Sequence, residues 1–162
     1  MWKRTSKPRR SARSYALWLL GRKSYSVLAL RQRLERRGYS PQESSDAVAY
    51  LVNIGYLNDQ TFAADFVQTR SQAGYGTRKL DWELRSRGIS PEDAELALAT
   101  LDEQELKQQA QRLAGRKLSL ASDHDPVKLR QRLLRYLLQR GYEYPLAEEV
   151  IADLMASLDR DG

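Results

Sequence analysis

The 162-residue chain has no cysteine, which removes disulfides, thiolate nucleophiles and cysteine-based metal sites together. That composition suits a reducing cytosol, where the chain is expected. There is one histidine, His124, so neither a Ser/His/Asp triad nor a Cys/His pair has its partners. His124 stands between Asp123 and Asp125, but ligands so close in sequence rarely converge on a metal alone, and a solvated loop is expected. No apolar run approaches the roughly 18 residues of a membrane span; the longest obvious one is Tyr15 to Leu20. The basic start, Met1-Trp2-Lys3-Arg4, precedes an apolar stretch too short for a signal peptide. Gly74-Tyr75-Gly76 follows a helical stretch and lacks the Gly-Lys-Ser/Thr ending of a phosphate loop. Together these absences argue against an enzyme, and no cofactor is expected.

Acid is also nearly missing from one end. Residues 1 to 37 hold twelve Lys or Arg and one acid, Glu35, a local charge of +11 in a chain of net +6. The remainder is therefore at −5. Such a concentration attracts nucleic acid or an acidic protein face through a long-range field, although a basic tail can also serve solubility alone.

What is present is a repeat. Three segments align on Gly38, Gly88 and Gly141, spaced by 50 and 53 residues. Leu30, Leu80 and Leu133 stand eight positions before the glycine, and Leu34, Leu84 and Leu137 four before it. Val48, Leu98 and Ile151 follow at ten positions, Leu51, Leu101 and Leu154 at thirteen. Leucines four apart share a helix face, and a left-handed glycine closes the helix behind them. In that closure Leu34 would meet Tyr39, Leu84 would meet Ile89 and Leu137 would meet Tyr142. Ser40-Pro41-Gln42-Glu43 and Ser90-Pro91-Glu92-Asp93 then start the next helix with a serine cap, a first-turn proline and an acid.

Further helical stretches precede each pair, near 12 to 22, 59 to 73 and 103 to 116. The expected fold is all-α: three tandem three-helix repeats, helix-turn-helix-like, elongated and curved. A basic tail (1–11) is followed by repeats at 12–57, 58–102 and 103–160. Lys117 to Asp125 reads as the longest loop, with Asp125-Pro126 capping the eighth helix. A unit of about 50 residues buries little core by itself, so neighbouring repeats should stack.

A helix, glycine turn and helix invite comparison with DNA-reading motifs. The second helix of each pair nevertheless begins among acids: Glu43 and Asp46, then Glu92, Asp93 and Glu95, then Glu143, Glu148 and Glu149. Carboxylates there suit the helix N-terminus and repel phosphate. Base is concentrated on the helix before. It carries Arg31, Arg33, Arg36 and Arg37, then Arg78, Lys79, Arg85 and Arg87, then Lys128, Arg130, Arg132, Arg135 and Arg140. Three basic helices at one repeat spacing would form a stripe suited to a polyanion or a polymer of protein subunits. Tyr15, Trp18 and Tyr25 offer base-stacking faces, although core packing is the stronger expectation for Tyr15 and Trp18.

The run Gly55-Tyr56-Leu57-Asn58-Asp59-Gln60-Thr61-Phe62-Ala63 resembles the GYL-[DN]-D-x-x-F-A signature of the RecX family. Arg70-Ser71, Gly74-Tyr75-Gly76, Leu80, Glu83-Leu84 and Gly88-Ile89-Ser90 continue the likeness, which covers about residues 12 to 158. Asn58 and Leu80 are mild departures, and the third repeat matches loosely. The resemblance implies a regulator of homologous recombination that binds the RecA–single-stranded DNA filament and usually inhibits strand exchange, ATP hydrolysis and repressor co-cleavage. It supplies no catalytic residues. Its motif positions have structural roles: Asp59 or Asn58 caps the fourth helix, Phe62, Phe66 and Leu84 build core, and Gly74 and Gly76 set a turn, with Arg70 and Gly88 beside them.

Contact residues are then expected among exposed bases: Arg22, Lys23, Arg31, Arg33 and Arg37; Arg78, Lys79 and Arg85; Lys128, Arg130, Arg132 and Arg135. Expected partners are the RecA filament, single-stranded DNA and also duplex DNA, with no membrane, the chain acting as a monomer. The competing reading is a general DNA-binding protein that acts without RecA.

Overall fold

In the computed structural model, which describes residues 10–122 and 124–161, the helices fall where their local signals lie. The first repeat contains α1 (Ala12–Leu20), α2 (Val27–Arg37) and α3 (Pro41–Asn53). The second contains α4 (Asp59–Gln72), α5 (Thr77–Ser86) and α6 (Pro91–Leu98); the third, α7 (Glu103–Ser119), α8 (Pro126–Gln139) and α9 (Tyr144–Asp161). The described residues contain no strand. The fold is all-α with three tandem three-helix repeats.

The glycine closures account for the spacing. Gly38, Gly88 and Gly141 all have positive φ, at 104°, 79° and 93°. After Gly38, the Tyr39 amide donates to the Leu34 carbonyl at 3.2 Å, and Gly38 itself donates to Glu35 at 2.9 Å. After α8 the same pair recurs, from Tyr142 to Leu137 at 3.2 Å and from Gly141 to Leu138 at 3.0 Å. These are the two bonds of a Schellman closure, and they place the next residue's side chain back over the leucine. Ser40 and Glu43 form a full capping box at the start of α3, with bonds of 3.0 and 2.7 Å. Ser90 caps α6 by accepting from the Asp93 amide at 3.1 Å, and Asp125 caps α8 by accepting from Val127 at 3.0 Å.

The chain divides into two compact units. One comprises residues up to Phe62 together with Arg87–Ile89; the other comprises Ala63–Ser86 and the chain from Ser90. In the first, α1 and α2 pack on α3 around Leu30, Leu34, Tyr39, Val48 and Leu51. Ser26 starts α2 there: its hydroxyl accepts from Ala29 at 3.2 Å while donating to the Arg87 carbonyl at 2.7 Å. In the second, α7, α8 and α9 enclose Leu133, Leu137, Tyr142, Val150 and Ile151, and α5 packs on α6. Leu84 is fully buried.

Three local expectations need correction, and one alternative is decided. Leu118 packs against the third-repeat core, so α7 runs to Ser119 and the loop after it begins at Leu120 rather than Lys117. Of the two residues expected to cap α4, Asn58 does so, its side chain accepting from Thr61 at 3.0 Å. Asp59 instead accepts from the Val27 amide at 2.8 Å, joining α4 to the start of α2. Phe62 and Phe66 are only half-buried, because the inward face of α4 is Ala63, Val67 and Ser71, and each phenylalanine stands one residue round from it. Trp18 is 42% exposed, not core. His124 is exposed, while its neighbour Asp123 and the tail up to residue 9 lie outside the described residues.

Candidate functional site

Within the second unit, α5 begins against the end of α8. The Gly76 amide donates to the Arg140 carbonyl at 2.9 Å, and Arg78 donates to the Gly141 carbonyl at 3.0 Å. The chains approach so closely that a Cβ added to Gly76 would stand 2.4 Å from the Tyr142 Cα. Arg140 reaches back, donating to Gly74 and Ala73 carbonyls at 2.8 and 2.9 Å. The Tyr75 ring lies among three cations, 3.9 Å from the Arg70 guanidinium, 4.1 Å from that of Arg140 and 4.8 Å from the Lys79 ammonium. Arg70 is fixed from its other side by buried Glu83, through paired bonds of 3.1 and 2.8 Å. The hydrogen bond to Glu83 raises the Arg70 pKa above the usual arginine value.

The contact candidates divide by how much of their charge is already engaged. Arg31 meets Glu35 at 3.9 Å, Arg85 meets Asp81 at 3.0 Å, and Arg130 pairs with Glu148. Arg22 lies 4.7 Å over Trp18, Lys23 4.7 Å over Tyr25 and Arg37 5.5 Å over Tyr15. Lys79 is half-buried beside Tyr75, and Arg132 is exposed on α8. Arg33, Arg78, Lys128 and Arg135 make no side-chain hydrogen bond or ion pair among the described residues. Nor do the bases share one register. Aligned on the glycines, Arg31 corresponds to Asp81 and Leu134; only the arginine just before the glycine recurs, as Arg37, Arg87 and Arg140. The stripe is therefore a property of each helix rather than of the repeat.

Trp82 was not singled out from the sequence, and it is 69% exposed. It lies one turn after Arg78 and one turn before Arg85, on the face of α5 opposite buried Leu80 and Leu84. Its groove, about 800 Å³, is lined also by Arg78, Asp81, Leu98, Leu138 and Glu143. An Arg-x3-Trp-x2-Arg spacing on an amphipathic helix was the available signal. Tyr75 and Arg140, by contrast, are 65 positions apart, and no local pattern joins them.

The acidic helix starts hold for two repeats. Glu43 lies in the first turn of α3, and Glu92 and Asp93 in that of α6. The first turn of α9 has no acid; Glu148 and Glu149 lie further along and pair with Arg130 and Lys107. The Glu149 bond raises the Lys107 pKa.

These features define an all-helical protein of three three-helix repeats. Its three repeats match three family models in order: the RecX first three-helix domain over residues 12–51, the second over 58–98 and the third over 103–151. Regulatory protein RecX of Mycobacterium ulcerans (strain Agy99) is 37% identical over 162 residues, covering 96% of this chain and 93% of that protein. Regulatory protein RecX of Mannheimia succiniciproducens is 31% identical over 130 residues, covering 80% of this chain and 84% of that one. The crystal structure of RecX from Lactobacillus salivarius shares the fold at a TM-score of 0.79 and 19% identity, covering 88% of this chain and 94% of that one. The chain belongs to the RecX family of regulatory proteins. Among the described residues no helix is long and apolar enough to cross a membrane.

Proposed function

We propose that this protein regulates RecA by binding the RecA–single-stranded DNA filament, and that it inhibits the filament's recombinase, ATPase and co-protease activities. Membership of the RecX family across all three repeats carries the reading. The exposed surfaces supply a means. On α5 an exposed tryptophan lies between two arginines, above a groove with Leu98, Leu138, Asp81 and Glu143. An apolar centre with a rim of mixed charge suits a protein partner, and tryptophan is a frequent anchor in such faces. Arg78 lines that groove, and Lys128 and Arg135 are exposed on α8, offering positive charge for the acidic groups or phosphates of the filament. The acidic starts of α3 and α6 weigh against the alternative of a recognition helix in a major groove.

Co-sedimentation tests the reading. The protein should pellet with RecA assembled on a long single strand, and less with the same mass of strand lacking RecA. Equal pelleting with and without RecA would support general DNA binding instead.

A further inference from the structure

The first unit carries a stack of rings and guanidinium groups. Three residues apart on α1, the Tyr15 and Trp18 rings lie 5.6 Å apart at 22°. Arg22 lies 4.7 Å over the indole, Arg10 lies 6.0 Å from it, and Arg37, at the end of α2, lies 5.5 Å from the phenol ring. The Tyr39 hydroxyl donates to the Arg10 carbonyl at 2.5 Å, fixing that backbone beside the stack, and its ring is 6.0 Å from Tyr15. The unit's four acids are each engaged elsewhere. Glu35 meets Arg31, Glu43 completes the Ser40 capping box, Asp46 accepts from Gln42, and Asp59 accepts from Val27. The stack is thus cationic, and the indole remains 42% exposed.

Charge alone would suit any polyanion, but an exposed indole within a stack of cations suits a narrower class. A single-stranded nucleic acid presents an open π-face and a phosphate with every nucleotide. A duplex hides its base faces, and an acidic polypeptide offers charge without regular rings. We infer that Trp18, Tyr15, Arg22, Arg37 and Arg10 form a single-strand nucleic-acid subsite. A nucleobase stacks on the indole in place of the exposed Arg22 guanidinium, which turns to the adjoining phosphate. This subsite does not require RecA.

The test uses the full chain without RecA. Three tryptophans are present, Trp2, Trp18 and Trp82. A Trp2→Phe/Trp82→Phe background therefore leaves Trp18 as the sole indole fluorophore. An oligothymidylate should quench its emission saturably. An abasic strand with the same number of phosphates should bind roughly tenfold more weakly and without quenching, since one stacked base contributes about that factor. In the same background Arg22→Gln should weaken thymidylate binding and reduce the salt dependence by about one phosphate contact. Trp18→Ala, checked by circular dichroism, should lower affinity for the thymidylate strand and leave that for the abasic strand unchanged. Equal, unquenched binding of both strands would overturn the inference in favour of a bare charge patch. Tighter binding of a duplex, or equal quenching by polyglutamate, would overturn it in favour of those partners. If RecA co-sedimentation fails while quenching persists, the regulatory reading falls and the subsite stands; the reverse result removes only the subsite.

Discussion

Two side chains in the second unit have environments that fix their behaviour. The Tyr142 hydroxyl is buried without a hydrogen-bond partner, and burial pushes its pKa up to about 12. Because the folded protein holds this proton more tightly than the unfolded chain, stability should fall as pH rises between 10 and about 12. The loss should reach about 3 kcal/mol at most. Tyr142→Phe removes an unpaired polar group, so it should match or exceed the parent by up to about 1 kcal/mol in urea at pH 7. It should also flatten the alkaline limb, and an unchanged limb would assign that limb to other groups. Arg70, by contrast, is the hydrogen-bonding partner of buried Glu83. Arg70→Met should destabilise by about 2 to 3 kcal/mol, at the low end for a buried pair because the guanidinium is partly solvated. Arg70→Met/Glu83→Leu should recover most of that loss, and additive losses would show that the pair is not coupled.

At the scale of elements, helix closure and one close crossing dominate. Gly76→Ala would drive a methyl group into backbone, with Tyr142 N and Cα both 2.4 Å away, and should destabilise by about 3 kcal/mol. Leu84→Ala, in the fully buried leucine row, should lose about 2 to 5 kcal/mol in the same urea titration. The leucine row and its glycines were legible in the sequence because they obey local rules: helical spacing, left-handed closure, and a serine–proline start. Asn58 and Asp59 divided their roles only in space, since the second accepts from Val27, 32 residues away. The Tyr75 clamp was illegible for the same reason, its arginines arriving from α4 and α8. Trp18 and Trp82 show the limit of composition. An aromatic residue beside leucines suggests core, yet both face out, one covered by Arg22 and one flanked by Arg78 and Arg85.

Over the whole molecule the net charge of +6 is unevenly distributed. The first unit has few acids, all engaged, and exposed rings. The second combines an exposed tryptophan with bases and acids at its rim. Filament binding should therefore weaken with salt, with bases of the second unit carrying much of the regulation. The structure also refines which bases to change. Arg85 is paired with Asp81, and Lys79 lies beside the Gly141 backbone, so reversing either disturbs more than charge. Arg78, Lys128 and Arg135 make no ion pair among the described residues and are exposed, so their reversal should leave the fold intact. The most direct measurement is RecA-catalysed ATP hydrolysis on single-stranded DNA, titrated with the wild-type protein and with Arg78→Glu/Lys128→Glu/Arg135→Glu. The wild type should inhibit hydrolysis, and the folded triple variant should need roughly tenfold more protein for the same effect. Unchanged hydrolysis with the wild type would contradict regulation of RecA, and equal inhibition by the two proteins would contradict the basic faces as its means.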